Sequence, residues 1–259
     1  MEYGLQLYSV RDLAQKNMEE ALRKVADIGY KLVETAGFFG QTAEVMREIL
    51  ERYGLKISGT HTPLHELTDH YEETLAYHKV IGNKNIIIPM EDLSSQQKLD
   101  TFVDAVNLYQ KRLEAEGICL CYHNHYHEFF TNPDGSDIYE QITKRTQLFL
   151  ELDTGWAYSA MQNPVELMEK FQERIRFIHI RDCVTFPAPE PGLPMGELYK
   201  QIGQADIGRP LGKGTAPVWD VYKKAIEMEI PLIVESESMK PDGISEVTVC
   251  YEELKRMEG

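Results

Sequence analysis

Short apolar runs alternate along the chain with longer stretches in which apolar positions recur every three or four residues. Runs at Gly4–Ser9, Lys31–Glu34, Leu55–Thr60, Asn85–Pro89, Ile118–His123, Leu148–Asp153, Phe177–Arg181 and Pro231–Glu235 predict eight strands. Runs of this kind are expected of strands covered on both faces in a parallel sheet. The stretches between them predict helices. Met18–Ile28 places Leu22, Val25 and Ala26 on one face; Asn17, with Glu20 three residues on, forms a capping-box-like start, and Gly29 supplies the stop. Leu99–Leu113 repeats the pattern with Phe102, Val103, Val106 and Tyr109 as its stripe and Gly117 as terminator, while Gly54 and Gly82 mark two more helix-to-strand joints.

Eight alternating units in 259 residues predict an α/β fold: a (β/α)8 TIM barrel forming a single domain over residues 1–259. No Ser/Gly-rich or Pro-rich linker divides the chain. The runner-up, a doubly wound open sheet, usually carries a Gly-rich turn after its first strand. Here that place holds Val10-Arg11-Asp12-Leu13. One long irregular stretch, Cys183–Pro217, contains Pro187, Pro189, Pro191 and Pro194. Following the seventh strand, it is expected to lie over the mouth of the barrel, where such loops cover or select substrate.

The net charge of −15, from 27 basic and 42 acidic residues, argues against a nucleic-acid or anionic-membrane partner. No signal peptide and no apolar run of membrane-spanning length is visible. Cys119, Cys121, Cys183 and Cys250 form no C-x-x-C pair, so neither a zinc ribbon nor a disulfide framework is expected, and the location expected is cytoplasmic.

Four acid or imidazole groups close the last four runs: His123, Asp153, His179 and Glu235. Taken singly, each has a bland explanation. A histidine there is more often a satisfied core residue, and an Asp is commonly the N-cap of the next helix. Glu is a poor cap and costly to bury unpaired. Jointly, at the carboxyl ends of strands five to eight, they converge on one mouth as a mixed nitrogen and oxygen donor set for one divalent metal ion.

Neighbours share this geometry. Glu34 ends the second run and His61 follows the third; Gln6 and Tyr8 lie on one face of the first, and Glu151 lies one layer below Asp153. For Glu34 the alternatives are substrate contact or an ion pair with Lys or Arg, and for Tyr8 substrate contact or core packing. Glu151 needs a partner such as Arg181, His123 or the metal. Trp156 reads as a hydrophobic wall or a platform for a sugar ring. In Tyr122-His123-Asn124-His125-Tyr126-His127-Glu128-Phe129, His123 and His125 point the same way, and the segment is not the H-E-x-x-H of zinc proteases. Arg181 and Lys213 could receive a phosphate or serve as ion-pair or surface residues.

The Tyr-His-Asn-His-x-His-Glu-Phe segment, Glu-Leu-Asp-Thr-Gly-Trp, Phe-Ile-His-Ile-Arg-Asp and Ile-Val-Glu-Ser-Glu occur in this order. Together with Gln6-Leu-Tyr-Ser-Val-Arg11 and Leu211-Gly-Lys-Gly214, they resemble the xylose isomerase-like TIM-barrel superfamily over essentially the whole chain. That group includes sugar (phosphate) isomerases and epimerases, inosose dehydratase and endonuclease IV. The resemblance implies one metal ion, Mn2+ foremost with Co2+, Mg2+ or Zn2+ as alternatives, bound by Glu, Asp, His and Glu at successive strand ends. Asp153, His179 and Glu235 match the last three of these. His123 stands where many epimerases have Glu, and Glu151, His125 and Glu128 are further donors at that corner. The implied activity is proton abstraction next to a carbonyl of a keto-sugar, with Glu235 and His123 as the acid/base pair and isomerisation or epimerisation as the outcome. Dehydration or lysis of a keto-sugar or keto-inositol is the alternative within the family, and a non-catalytic carbohydrate-binding barrel is the alternative outside it. His61, Glu34, Tyr8, Glu151, His125, Trp156, Arg181 and Lys213 are the candidate substrate contacts; the expected partner is a small carbohydrate, with homo-oligomers common among relatives.

Overall fold

The computed structural model describes residues 1–185, 197, 200–201 and 204–259. Eight strands close into a parallel barrel: β1 (Gly4–Gln6), β2 (Leu32–Ala36), β3 (Lys56–His61), β4 (Asn85–Ile88), β5 (Cys119–His123), β6 (Phe149–Asp153), β7 (Ile175–Ile180) and, after the short strands β8 (Asp182–Cys183) and β9 (Gly208–Arg209), β10 (Leu232–Val234). Closure comes from the pairing of β1 with β10, Gly4 opposite Ile233, which excludes the open sheet. No helix among the described residues is long and apolar enough to cross a membrane.

Outward-facing strand residues such as Leu5, Val33, Ile178, Leu232 and Val234 are fully buried under the helices. The helix Met18–Ile28 has the predicted bounds: Asn17 accepts the Glu20 N–H at 3.0 Å, and Gly29 follows with φ of 125°. Glu20 does not reach back to complete a capping box; its carboxylate pairs with Arg23. Leu22 and Val25 are wholly buried against the barrel. Truncating such a leucine to alanine typically costs about 2–5 kcal/mol. The second predicted helix is longer than its apolar stripe, Gln96–Ala115, with Ser95 as its N-cap.

Two expectations need correction. The first strand does not run to Ser9. Gln6 turns its side-chain oxygen onto the Tyr8 N–H at 3.1 Å, and Leu7–Val10 winds into a 3-10 helix. Tyr8 therefore does not share a strand face with Gln6 and is 41% exposed. The stretch Cys183–Pro217 is not wholly irregular: β8 and β9 form an antiparallel pair, Asp182 opposite Arg209. Pro187, Pro189, Pro191 and Pro194 lie outside the described residues.

The barrel interior is polar toward its carboxyl end. Gln6, Glu34, Glu151 and His179 are all fully buried there, where branched apolar side chains usually fill the layers. Charged groups are tolerated in such a place only when paired or ligated.

Candidate metal and active site

Parallel register builds the site. His123 lies opposite Glu151 and Asp153 opposite His179, so these side chains share the inward face of neighbouring strands. Glu235 follows β10 directly. One donor atom each from His123, Asp153, His179 and Glu235 lies within 4.8 Å of the others, and all four residues are buried.

Asp153 is the N-cap that one of its sequence readings expected, and it also belongs to the convergent donor group. Its Oδ1 accepts the Trp156 N–H at 2.7 Å and caps the helix Thr154–Ser159, while its Oδ2 is buried with no hydrogen-bond partner among the described residues. Arg181 Nη1 faces it at 3.9 Å, beyond hydrogen-bonding reach, and such an oxygen is costly unless a closer cation answers it. The backbone of Asp153 is fixed by Asn124, whose amide donates to the Asp153 carbonyl and accepts from its N–H, each at 3.1 Å. Asn124, between two histidines pointing the other way, thereby ties β5 to β6 at the site.

The histidines are held from behind by carboxylates. His179 Nδ1 lies 3.2 Å from Glu235 Oε2, and its Nε2 lies 2.8 Å from Glu34 Oε1 and 3.2 Å from Glu151 Oε2. His123 Nδ1 is 3.1 Å from the same Glu151 oxygen, and His61 Nε2 is 2.7 Å from it. Gln6 donates to Glu34 at 2.7 Å. His61, His123, Glu151 and His179 accordingly form a second group of donors within 4.8 Å. The two groups share His123 and His179. Of their carboxylates, Glu235 lines the cavity and Glu151 does not. The first group is thus the better seat for an ion, with Glu151 and Glu34 behind its histidines in the carboxylate–histidine arrangement common at metal centres.

Glu34 does not pair with Lys or Arg, one of its two expected readings; its partners are His179, His61 and Gln6. Glu128 is not a member of either donor group. It accepts the Tyr122 hydroxyl and the His125 N–H, both at 2.8 Å, and so shapes the turn after β5.

Electrostatics follow from this crowding. Burial disfavours the imidazolium of His179 and His61, yet the adjoining carboxylates prevail, raising His179 well above its ordinary value and His61 to about 10. His123 goes the other way: burial, then the positive charge of His179, keeps it neutral. Burial pushes Glu235 up, but His179 and Arg181 hold it down at about 2. Asp153 is raised to about 7 by burial, partly offset by Arg181. Glu34 stays ionised beside His179 and His61, while burial and the Glu34 charge raise Glu151. A buried two-imidazole, two-carboxylate set with an orphaned oxygen and a neutral histidine suits a divalent ion of the kind mixed N/O sites take.

Above the donors opens a cavity of about 640 Å³. His123 and Glu235 reach it from the donor set, and Tyr8, His61, His125, Trp156 and Arg181 line it as well. Arg181 lies over the Trp156 ring at 4.3 Å. Gly155 makes this possible, since a Cβ there would stand 2.8 Å from Arg181 Cβ. Lys213 is exposed and not among the residues lining the cavity. Sequence reasoning overlooked Glu237, which lines the cavity and bonds Arg181 at 2.5 Å. Its place two residues after Glu235 was the available signal. Asp206 and Ile207, brought to the mouth by the β8–β9 pair, carried no such signal.

A family model described as xylose isomerase-like TIM barrel matches residues 22–255. Among curated proteins the chain is similar to inosose dehydratase of Clostridium botulinum, with 24% identity over 195 residues, 66% of this chain and 65% of that protein; the match thus spans just under two thirds of the relative's length. It is also similar to inosose dehydratase of Bacillus velezensis, with 21% identity over 86% of this chain and 83% of the relative. Among solved structures it is similar to a sugar phosphate isomerase/epimerase from Parabacteroides distasonis ATCC 8503, with a TM-score of 0.81, 24% identity and 98% of each chain covered.

Proposed function

The chain belongs to the xylose isomerase-like TIM-barrel family, and on that premise we propose that it is a divalent-metal-dependent enzyme moving a proton next to the carbonyl of a keto-sugar, with isomerisation or epimerisation as the outcome. The observation that carries this reading is that His123 and Glu235 belong both to the convergent donor set and to the cavity wall.

Asp153, His179, Glu235 and His123 would hold the ion, expected to be Mn2+, which would polarise the carbonyl and stabilise the negative charge that develops on its oxygen. Glu235, ionised at neutral pH, is the base that takes the proton from carbon. His123 is the opposing group: the neutral form that burial favours takes a proton in the reverse direction, and it would have to carry a proton from solvent or substrate to give one in the forward direction. His61 and His125, on the cavity wall, would hold sugar hydroxyls, and Trp156, on the same wall, would keep water out. Glu34 and Glu151 act through the histidines they bond rather than on substrate.

Loss of water is the second reading. It is favoured by imidazole at a place where a second carboxylate is the expected group, because an imidazole that has taken up a proton can pass it to a departing hydroxyl. Similarity to proteins named inosose dehydratase supports it as well. The described cysteines are all free thiols, in keeping with a cytoplasmic setting.

Metal analysis of the purified protein tests the shared part of both readings. One bound divalent ion per chain, and turnover of keto-sugars that rises with added Mn2+, is expected. A protein with no bound ion and no response to Mn2+ would favour a non-catalytic carbohydrate-binding barrel.

A further inference from the structure

Barrels that bind phosphorylated ligands commonly hold the phosphate with the loops after the seventh and eighth barrel strands and the helix start beside them. In this chain several backbone donors of that corner are already turned onto carboxylates of the protein. In the Leu211-Gly-Lys-Gly214 turn and just beyond it, the Gly214 N–H donates to Asp182 Oδ2 at 2.8 Å and the Ala216 N–H to Oδ1 at 3.2 Å. Cys183 N–H adds a third bond at 2.9 Å. This is an anion nest filled from within. A Cβ at Gly214 would stand 2.2 Å from Asp182 Oδ1, so the backbone approaches as closely as glycine permits.

The loop after β10 repeats the arrangement. Ser238 and Lys240 donate their N–H groups to the Glu246 carboxylate at 3.1 and 3.3 Å, and the Ser236 hydroxyl bonds it too. Next comes the start of the helix Gly243–Glu258. Asp242 caps it through the Ser245 N–H at 2.8 Å, and Asp12 accepts from the Gly243 N–H at 3.4 Å.

Side-chain cations are equally committed. Among the described residues Arg181 is the only Lys or Arg lining the cavity. It is 3% exposed and bonded to Glu237 at 2.5 Å and Glu235 at 3.4 Å. At the rim, Arg11 lies over the Tyr8 ring at 4.0 Å and donates to the Tyr8 carbonyl, and Arg209 donates to the Asp206 and Gly208 carbonyls. Residues 186–196, 198–199 and 202–203 contain no Lys or Arg in their sequence. The wall also carries the carboxylates of Asp206, bonded to Lys240, and of Glu237, bonded to Arg181, and the whole chain carries −15. Among the described residues of the wall, Arg181 and His61 are each already paired with two carboxylates, so a phosphate dianion would have to displace a carboxylate to gain a counter-charge from the protein. Sugar hydroxyls, in contrast, donate well to ionised carboxylates.

We propose that the substrate is an uncharged sugar or cyclitol bearing no phosphate ester, its hydroxyls received by Glu237 and Asp206. This rests on reading the cavity as a carbohydrate site. The test uses the metal-loaded protein and matched pairs whose ester is far from the carbonyl: D-fructose with D-fructose 6-phosphate, and D-ribulose with D-ribulose 5-phosphate. Affinities are measured by calorimetry, and exchange of the proton next to the carbonyl is followed in D2O on the same samples. The expected result is that each ester binds no better than its parent sugar and typically at least about tenfold worse, which is about 1.4 kcal/mol; an ester with no detectable binding counts the same way. An ester that binds reproducibly tighter than its parent overturns the proposal, whether or not exchange occurs. Absence of exchange on all four compounds speaks against the proton-transfer reading and leaves the phosphate question to the affinities.

Discussion

Asn124 and Asp153 exchange two hydrogen bonds across the ends of β5 and β6, each 3.1 Å long and each joining the Asn124 amide to the Asp153 backbone. The pair fixes where the Asp153 carboxylate stands, and does so with a residue that itself faces away from the donors. Asn124→Ala leaves a buried N–H and carbonyl without their side-chain partner. A loss of about 1–3 kcal/mol is expected for an orphaned buried polar group. Urea unfolding should register that loss, with calorimetry showing weaker Mn2+ binding. Unchanged metal affinity would mean that Asp153 does not depend on this tie.

Glu151→Gln tests the carboxylates behind the histidines. Glu151 Oε2 contacts His61, His123 and His179 at 2.7, 3.1 and 3.2 Å. Metal affinity is expected to fall about 10–100-fold, the usual cost of losing such a partner, while the metal-free protein unfolds at nearly the same denaturant concentration. Equal affinity for Mn2+ in variant and parent would assign Glu151 a packing role only.

Glu235→Gln removes the proposed base. A carboxamide cannot accept the proton, and turnover should drop by at least about a hundredfold, in the range general acid–base groups contribute. Far-UV circular dichroism should be unchanged. Activity retained in the folded variant would move the base elsewhere.

Away from the site, His78 gives a stability prediction with a definite sign. Its Nδ1 lies 3.0 Å from the Asn83 side-chain nitrogen, which also donates to the Asn85 carbonyl, so Nδ1 must accept and the ring is neutral. Burial lowers its pKa from 6.5 to about 4. The unfolded chain therefore takes the proton first. Stability from this group is complete above about pH 6.5 and is lost as the pH falls toward and through about 4. The loss is roughly 3 kcal/mol at one pKa unit per 1.4 kcal/mol. Urea melts of the wild type and His78→Gln from pH 7 down to 4 should converge as the pH drops. Parallel pH profiles would show that His78 is not the group responsible.

Much of this was legible in the chain. Asp153, His179 and Glu235 each follow an apolar run, and strand polarity alone brings such ends to one mouth. The helix at Met18–Ile28 could be bounded because its cap and stop are local. What escaped was non-local or decided by a single side chain. Gln6 diverts the backbone by accepting from Tyr8, so the first strand ends three residues early and Tyr8 moves to the cavity wall. Arg176 reads as a break in the apolar run, yet it reaches across the amino end of the barrel to Asn85 on β4 at 3.0 Å, and β7 begins at Ile175. The meeting of His61 with Glu151, 90 positions apart, has no trace in local pattern. Lys213, a reasonable anion contact on paper, sits on the turn whose amides face Asp182 instead.

Deuterium incorporation tests the central claim most directly. Keto-sugars incubated with the metal-loaded protein in D2O and analysed by mass spectrometry should gain one deuterium next to the carbonyl without losing water, and a chelator should stop the gain. A product lighter by one water would assign the barrel to dehydration. Sugars recovered with neither deuterium nor loss of water, from a protein shown to hold its divalent ion, would contradict metal-dependent proton transfer at this site.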